Sequence, residues 1–76
     1  MNKKLIKTAI DMRKKSHSPY SNYRVGAALE TESGKIIGGC NVESSSYGLT
    51  CCAERVALYN AISKGYYNFK SMAIST

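Results

Sequence analysis

The sequence contains few of the residues that build disulfide frameworks or histidine-rich metal sites. Among its 76 residues there are three cysteines and one histidine. An odd number of cysteines is a poor basis for a disulfide framework, and adjacent Cys51 and Cys52 are awkward partners for each other. We therefore predict reduced thiols in a cytoplasmic protein, where cysteines are free to bind a metal. The single histidine, His17, is interpreted as a loop residue on the surface.

Long hydrophobic runs are also missing. No apolar run approaches the roughly 18 residues needed to cross a membrane. The basic start at Lys3 and Lys4 is not followed by the apolar stretch and cleavage site of a secretory signal. A chain of 76 residues forms at most one small domain, which is marginal without a metal or a partner chain. We predict a single domain over residues 1–76 and no membrane association.

Acidic residues are scarce, with five Asp and Glu against 11 Lys and Arg, and the net charge is +6. Such an excess can mark a nucleic-acid or membrane surface. Most of it falls in the first predicted helix, and no tract interleaves basic and aromatic residues as single-strand binders do. We interpret the charge as a solvated helix face. A nucleic-acid-editing module is the alternative that rests on this feature.

Hydrophobic periodicity predicts the order α-β-β-α-β. The predicted helices span residues 2–16 and 51–64, and the predicted strands span residues 23–30, 35–42 and 70–75. Asn2 and Thr50 are predicted N-caps, Gly34 ends a hairpin turn, and Gly65 stops the second helix. A hairpin followed by a helical crossover predicts a three-layer (α/β/α) fold with a mixed sheet that ends after its third strand.

The predicted helices each carry an apolar stripe that we expect to be buried. The stripes comprise Leu5, Ile6, Ala9 and Ile10 in the first helix and Val56, Ala57, Leu58, Ala61 and Ile62 in the second.

Cys52 and Glu54 stand two positions apart at the start of the second predicted helix. The free N–H groups and dipole of a helix start favour a thiolate, which is the form that binds zinc. A carboxylate in the same turn could reach a water on that metal. Asn41 and Glu43 end a strand, where open α/β sheets place ligands. A C-x-E pair also arises by chance, so a structural cysteine beside an ordinary first-turn glutamate is the simpler alternative.

Three segments of the sequence form a wider pattern. They are residues 18–29 (SPYSNYRVGAAL), residues 39–43 (GCNVE) with 46–48 (SYG), and residues 51–57 (CCAERVA). In this order and spacing they resemble the small cytidine deaminases that act on free nucleosides, and they cover almost the whole chain. The resemblance implies the N-terminal part of a cytidine deaminase-like domain, a homotetramer, and a place in pyrimidine salvage.

The resemblance also implies roles around the second helix. Cys52 would be one ligand of a single Zn²⁺ per subunit, and Glu54 would be the proton shuttle. As in zinc deaminases generally, a zinc-bound hydroxide would attack C4 of the cytosine and ammonia would leave, which converts cytidine or deoxycytidine to uridine or deoxyuridine. Arg55 would offset the negative charge of the zinc thiolates.

The substrate would be a pyrimidine nucleoside. Asn41 and Glu43 would hold the ribose hydroxyls, and the backbone N–H of Ala53 would bind the base carbonyl. Tyr23 stands where the family commonly has phenylalanine and would pack against the base. Ser44 stands where the family often has asparagine.

The P-C-x-x-C motif that supplies two further zinc thiolates in the family has no counterpart in the sequence. The chain could be part of a longer protein, a truncated and inactive member that only pairs with related subunits, or one half of a site completed by a second chain. We favour the first, because each predicted element is intact, and we expect the 76-residue chain alone to be inactive. Deamination of another aminopyrimidine nucleoside, such as blasticidin, is a further alternative.

Overall fold

The structure is a computed structural model that describes residues 2–19, 22–44 and 49–76. Within these ranges the elements are, in chain order, α1 (Lys3–Arg13), β1 (Gly26–Thr31), β2 (Ile36–Cys40), β3 (Val42–Ser44), β4 (Leu49–Cys51), α2 (Ala53–Ser63) and β5 (Phe69–Ser75). Strands β2, β1 and β5 form one sheet in that order, and β3 pairs with β4 in a separate ribbon. The predicted loop between Glu43 and Thr50 lies largely outside the described residues.

Strand β1 is the centre of the sheet. Its neighbours both run antiparallel to it, and Leu29 lies opposite Ile37 on β2 and Met72 on β5. Strands β2 and β5 are therefore parallel to each other, joined through α2, with β1 between them. The expected mixed sheet is thus antiparallel throughout its described strands, because the first strand of the hairpin takes the middle position.

The two helices cover opposite faces of this sheet. Successive strand residues point to opposite faces, so Ala28 packs with Leu5 and Ala9 of α1. Its neighbours Ala27 and Leu29 belong to the core cluster on the α2 side. That cluster includes three alanines of α2, namely Ala53, Ala57 and Ala61. The predicted three-layer α/β/α architecture is confirmed.

Glycines let both helices approach the sheet closely. A Cβ built on Gly39 would lie 2.8 Å from the Ala53 carbonyl oxygen and 2.8 Å from Ala57 Cα, both on the backbone of α2. On the other face, a Cβ on Gly26 would collide with the carbonyl oxygen of Ala9 and the backbone of Arg13 in α1. The small residues of the predicted strands therefore allow helix backbones to sit directly on the sheet.

Local signals placed two of the four helix ends correctly. Asn2 is the N-cap of α1, and its side chain accepts a hydrogen bond of 2.9 Å from the Lys4 N–H. After α2, Gly65 adopts φ +91°, and its N–H donates to the Ile62 carbonyl at 3.0 Å, as in a Schellman motif. However, α1 ends at Arg13 rather than Ser16, because the N–H of Ser16 bonds back only three residues in a tightened turn.

The start of α2 differs from the prediction. Thr50 is not its N-cap, and Cys51 is not in the helix, because both lie in β4, where Thr50 pairs with Glu43 of β3. Cys52 is the N-cap, with extended backbone angles and no capping hydrogen bond from its side chain. The sequence pattern did not predict the β3–β4 ribbon, because each of the two strands is only three residues long.

The buried stripes are narrower than predicted. In α1, Leu5 and Ala9 are buried, whereas Ile6 and Ile10 remain 42% and 45% exposed. In α2 the fully buried positions are alanines, and Ile62 is exposed. Helix α2 packs mainly on β1 and β2 and covers little of β5, so Ile74 of β5 is left exposed. In the described part of the chain, neither helix has the length and apolarity needed to cross a membrane.

Candidate active site

A cleft at one end of the sheet collects most of the residues that the sequence singled out. Its volume is about 380 Å³, and it is lined by Tyr23, Val25, Asn41, Glu43, Cys52, Ala53, Glu54, Ile74 and Thr76. Six of these were candidate site residues, from three separate segments of the chain. The seventh candidate, Arg55, is exposed on the first turn of α2 and does not line the cleft.

The first turn of α2 supplies one wall of the cleft. Cys52 is exposed and is a free thiol, Ala53 is buried, and Glu54 is partly buried. The first intrahelical hydrogen bond runs from the Val56 N–H to the Cys52 carbonyl at 3.0 Å. The amides before Val56 have no acceptor within the helix, as at any helix start. The wall therefore combines a thiol, a carboxylate and backbone N–H donors.

Asn41 lies at the junction between the sheet and the cleft and is 7% exposed. Its Oδ1 accepts the Val25 N–H at 3.0 Å, and its Nδ2 donates to the Tyr23 carbonyl at 2.7 Å. The side chain of Asn41 thus takes the place of a neighbouring strand for residues 23–25. This explains why β1 begins at Gly26, although alternation predicted a strand from Tyr23.

The backbone of Asn41 also interrupts the predicted second strand. Its N–H donates to the Val25 carbonyl at 3.1 Å, while its carbonyl accepts the His17 N–H at 3.2 Å. The Glu43 N–H then donates to the His17 carbonyl at 2.8 Å. The loop after α1 therefore pairs with the chain leading into β3. His17 contributes through its backbone, and its exposed side chain agrees with the prediction of a surface residue.

The donor set for a metal is incomplete among the described residues. No group of three His, Cys, Asp or Glu side chains lies close enough within residues 2–19, 22–44 and 49–76 to hold a metal ion. A catalytic zinc normally takes three protein ligands. The described residues therefore suit zinc only as part of a ligand set, with the exposed Cys52 thiol beside the Glu54 carboxylate.

Some residues of the cleft were not found from the sequence. Ile74 and Thr76 reach it because β5 pairs with β1 in a register that sets Ile74 opposite Ala27. Ser16 lies behind the cleft, and its hydroxyl donates to Asn41 Oδ1 across 25 positions of sequence. Pairings of this range depend on topology, and no local pattern in the sequence indicates them.

Comparison with known proteins identifies the family of the chain. The family model described as the cytidine and deoxycytidylate deaminase zinc-binding region matches residues 1–76. The chain belongs to this family. A probable cytidine deaminase of Dictyostelium discoideum is 51% identical over 73 residues, which cover 96% of this chain and 50% of the relative. A cytidine deaminase of Halalkalibacterium halodurans is 49% identical over 70 residues, which cover 92% of this chain and 53% of the relative.

Solved structures of the family share the fold. The cytidine deaminase of Burkholderia pseudomallei superposes with a TM-score of 0.89 at 49% identity, over 97% of this chain and 61% of that protein. The chain thus spans about half the length of the curated relatives it matches. The fold and family expected from the three sequence segments are confirmed, whereas the roles of individual residues remain predictions.

Proposed function

We propose that this chain provides the nucleoside-binding and proton-transferring side of an active site that hydrolyses cytidine and deoxycytidine to uridine and deoxyuridine. The observation that supports this most is the shared cleft, which Cys52 and Glu54 line together with Asn41 and Glu43. The names of the relatives point to the same reaction. The same relationship supports a place in pyrimidine salvage.

Glu54 is the proton carrier in this proposal. It takes a proton from the attacking water and delivers it to N3 of the cytosine. It then takes the proton of the new C4 hydroxyl and delivers it to the departing amine, so that water and cytidine become uridine and ammonia. A positioned carboxylate of this kind contributes about 10²–10⁴-fold to a rate. Its position suits the role, because Glu54 is partly buried and lines the cleft in which the base would bind.

The opposite side of the cleft would bind the sugar and the base. Within the described residues, both acceptor sites of Asn41 Oδ1 and one Nδ2 hydrogen are already used. Asn41 would therefore bind a ribose hydroxyl by donating its second Nδ2 hydrogen, and Glu43 would accept a hydroxyl proton. The ring of Tyr23 would pack on the pyrimidine, and the Ala53 N–H would donate to the base carbonyl.

Zinc, held in part by Cys52, would supply the Lewis acidity that brings the pKa of water close to neutrality. Because Cys52 is the one cysteine in the described lining of the cleft, we propose that the chain alone is inactive and that further ligands come from residues outside it. Arg55 would then donate to those added thiolates, a role that its exposed position leaves open to an incoming segment. We also propose a cytoplasmic homotetramer, and the free thiols of Cys40 and Cys52 suit a reducing compartment.

The test compares two zinc-supplemented proteins, the chain itself and a chimera that joins it to the C-terminal half of the Halalkalibacterium halodurans relative. We expect one zinc per chimera and release of uridine and ammonia from cytidine, but no turnover by the chain alone. In the chimera, Glu54→Gln should keep zinc and lower kcat by about 10²–10⁴-fold. The matched control, Glu32→Gln, changes the same charge in the exposed β1–β2 turn and should retain activity.

The outcomes separate the alternatives. A folded chimera without zinc or turnover would contradict the enzymatic proposal and would favour a subunit that only pairs with relatives. Faster turnover of blasticidin S than of cytidine would replace the proposed substrate. Considerable activity in Glu54→Gln, at the level of the Glu32→Gln control, would exclude the proton-carrier role of Glu54.

A further inference from the structure

Ser16 belongs to the loop after α1, and its partly buried hydroxyl lies against Asn41. The Ser16 Oγ is near three acceptors: Asn41 Oδ1, the Asn41 carbonyl oxygen at 3.3 Å and the Ser18 Oγ at 3.4 Å. A serine hydroxyl has only one proton to donate. The Val25 N–H and the Tyr23 carbonyl identify the amide atom that faces Ser16 as Oδ1, which only accepts, so the proton of Ser16 is assigned to Oδ1.

Two backbone groups set which way the Asn41 amide faces, and the Ser16 hydroxyl adds a second donor to that arrangement. With the Val25 N–H at 3.0 Å, Oδ1 receives two donors, while Nδ2 gives one hydrogen to the Tyr23 carbonyl. Rotating the amide by 180° would set NH₂ against the Val25 N–H and Oδ1 against the Tyr23 carbonyl oxygen. Both backbone contacts would then be lost in a residue that is 7% exposed, where unpaired polar groups are costly.

We propose that Ser16 is a positioning residue for nucleoside binding, which holds the Asn41 amide so that its second Nδ2 hydrogen is offered to the cleft as a donor. This inference rests on the proposed function, because it takes the ligand to be a nucleoside with ribose hydroxyls. It assigns a role to Ser16, which is not itself among the residues that line the cleft.

The first measurement needs no ligand. In the ¹⁵N-labelled chain, exchange spectroscopy reports the rate at which the Asn41 NH₂ group rotates about its C–N bond. Ser16→Ala removes one of the two donors to Oδ1 and should speed this rotation several-fold, whereas Ser16→Thr keeps an Oγ and should restore the slow rate. The control is Ser63→Ala, which removes a hydroxyl of similar bonding at the end of α2, where the Ser63 Oγ donates to the Asn60 carbonyl at 2.9 Å.

The second measurement uses the zinc-loaded chimera with Glu54→Gln, which suppresses turnover, and gives the Kd for cytidine and for 1-methylcytosine, which keeps the base and lacks the ribose. Ser16→Ala should raise the Kd of cytidine by about 2–10-fold, which corresponds to the loss of one neutral hydrogen bond. The Kd of 1-methylcytosine should not change. In an Asn41→Ala background, adding Ser16→Ala should have no further effect on the Kd of cytidine.

Amide rotation in Ser16→Ala equal to that in Ser63→Ala would overturn the proposal, whatever the binding data show. An equal loss of affinity for cytidine and 1-methylcytosine would also overturn it, because a generally loosened loop would affect both ligands. A parent chimera that binds neither ligand would count against the proposed function instead, and the rotation rate alone would then decide whether Ser16 hydrogen-bonds to Asn41 Oδ1.

Discussion

Adding one methyl group at Gly39 should destabilise the protein far more than adding one at its neighbour Gly38. Both glycines lie in β2, but their Cβ positions face opposite helices. At Gly39 the new Cβ would sit 2.8 Å from the Ala53 carbonyl oxygen and from Ala57 Cα, well inside ordinary van der Waals contact, which begins at 3.4 Å. These atoms are helix backbone, so α2 as a whole must move away from the sheet.

At Gly38 the new Cβ would instead meet the side chain of Met12, with Sδ at 2.8 Å and Cγ at 2.5 Å. A methionine side chain has several rotatable bonds and can move aside. Both substitutions reduce the entropy of the unfolded chain equally, by about 0.5–1 kcal/mol in favour of folding. Overpacking costs about 1–3 kcal/mol, so Gly39→Ala should lose about 2 kcal/mol relative to Gly38→Ala.

Urea unfolding followed by circular dichroism measures this difference. With a denaturant slope of about 1 kcal/mol/M for a small domain, the unfolding midpoint of Gly39→Ala should lie about 2 M below that of Gly38→Ala. Equal midpoints in the two variants would refute the reasoning, since they would mean that α2 can leave the sheet at little cost. Gly39→Ala should also weaken cytidine binding, because α2 carries Cys52, Ala53 and Glu54 into the cleft.

Two further predictions concern stability alone. Asn2→Ala should cost about 1 kcal/mol of unfolding free energy by removing the N-cap of α1, whereas Asn2→Asp keeps an acceptor for the Lys4 N–H and should stay near the parent in thermal unfolding. Thr31→Val keeps the shape of a buried side chain but removes the Oγ1 that accepts the Lys35 N–H at 3.0 Å. Thr31→Val should lower the free energy of unfolding in urea by about 1–3 kcal/mol. If it costs no more than Ser33→Ala in the same turn, the Lys35 N–H must find another acceptor.

The parts of the fold that follow from local chemistry were predictable from the sequence. Asn2 caps α1, Gly34 with φ +90° closes the β1–β2 turn, and Gly65 ends α2, each because a few neighbouring residues decide the backbone there. The errors arose where distant groups compete. The side chain of Asn41 hydrogen-bonds to the backbone of residues 23–25 in place of a strand. Thr50 pairs with Glu43 in the β3–β4 ribbon and is therefore not the N-cap of α2.

The candidate site divides in the same way. Cys52 and Glu54 could be selected from a helix start, and Asn41 and Glu43 from the end of a strand, and these segments line one cleft. The sequence could not indicate that Asn41 Oδ1 is already occupied, because its donors Ser16 and Val25 approach from two other segments. Because Oδ1 is occupied, Asn41 is expected to offer a ligand only one N–H donor, whereas the sequence alone allowed it to donate or accept.

The central position of β1 also has a consequence for the order in which the protein folds. Leu29 pairs with Ile37 across a short turn and with Met72 across most of the chain. Closing the longer loop costs about 1.5 kcal/mol more in chain entropy, so the β1–β2 hairpin should form first and β5 should join last. Until β5 docks, one side of β1 has unsatisfied backbone groups, and refolding at high concentration should favour capture of that edge by another molecule.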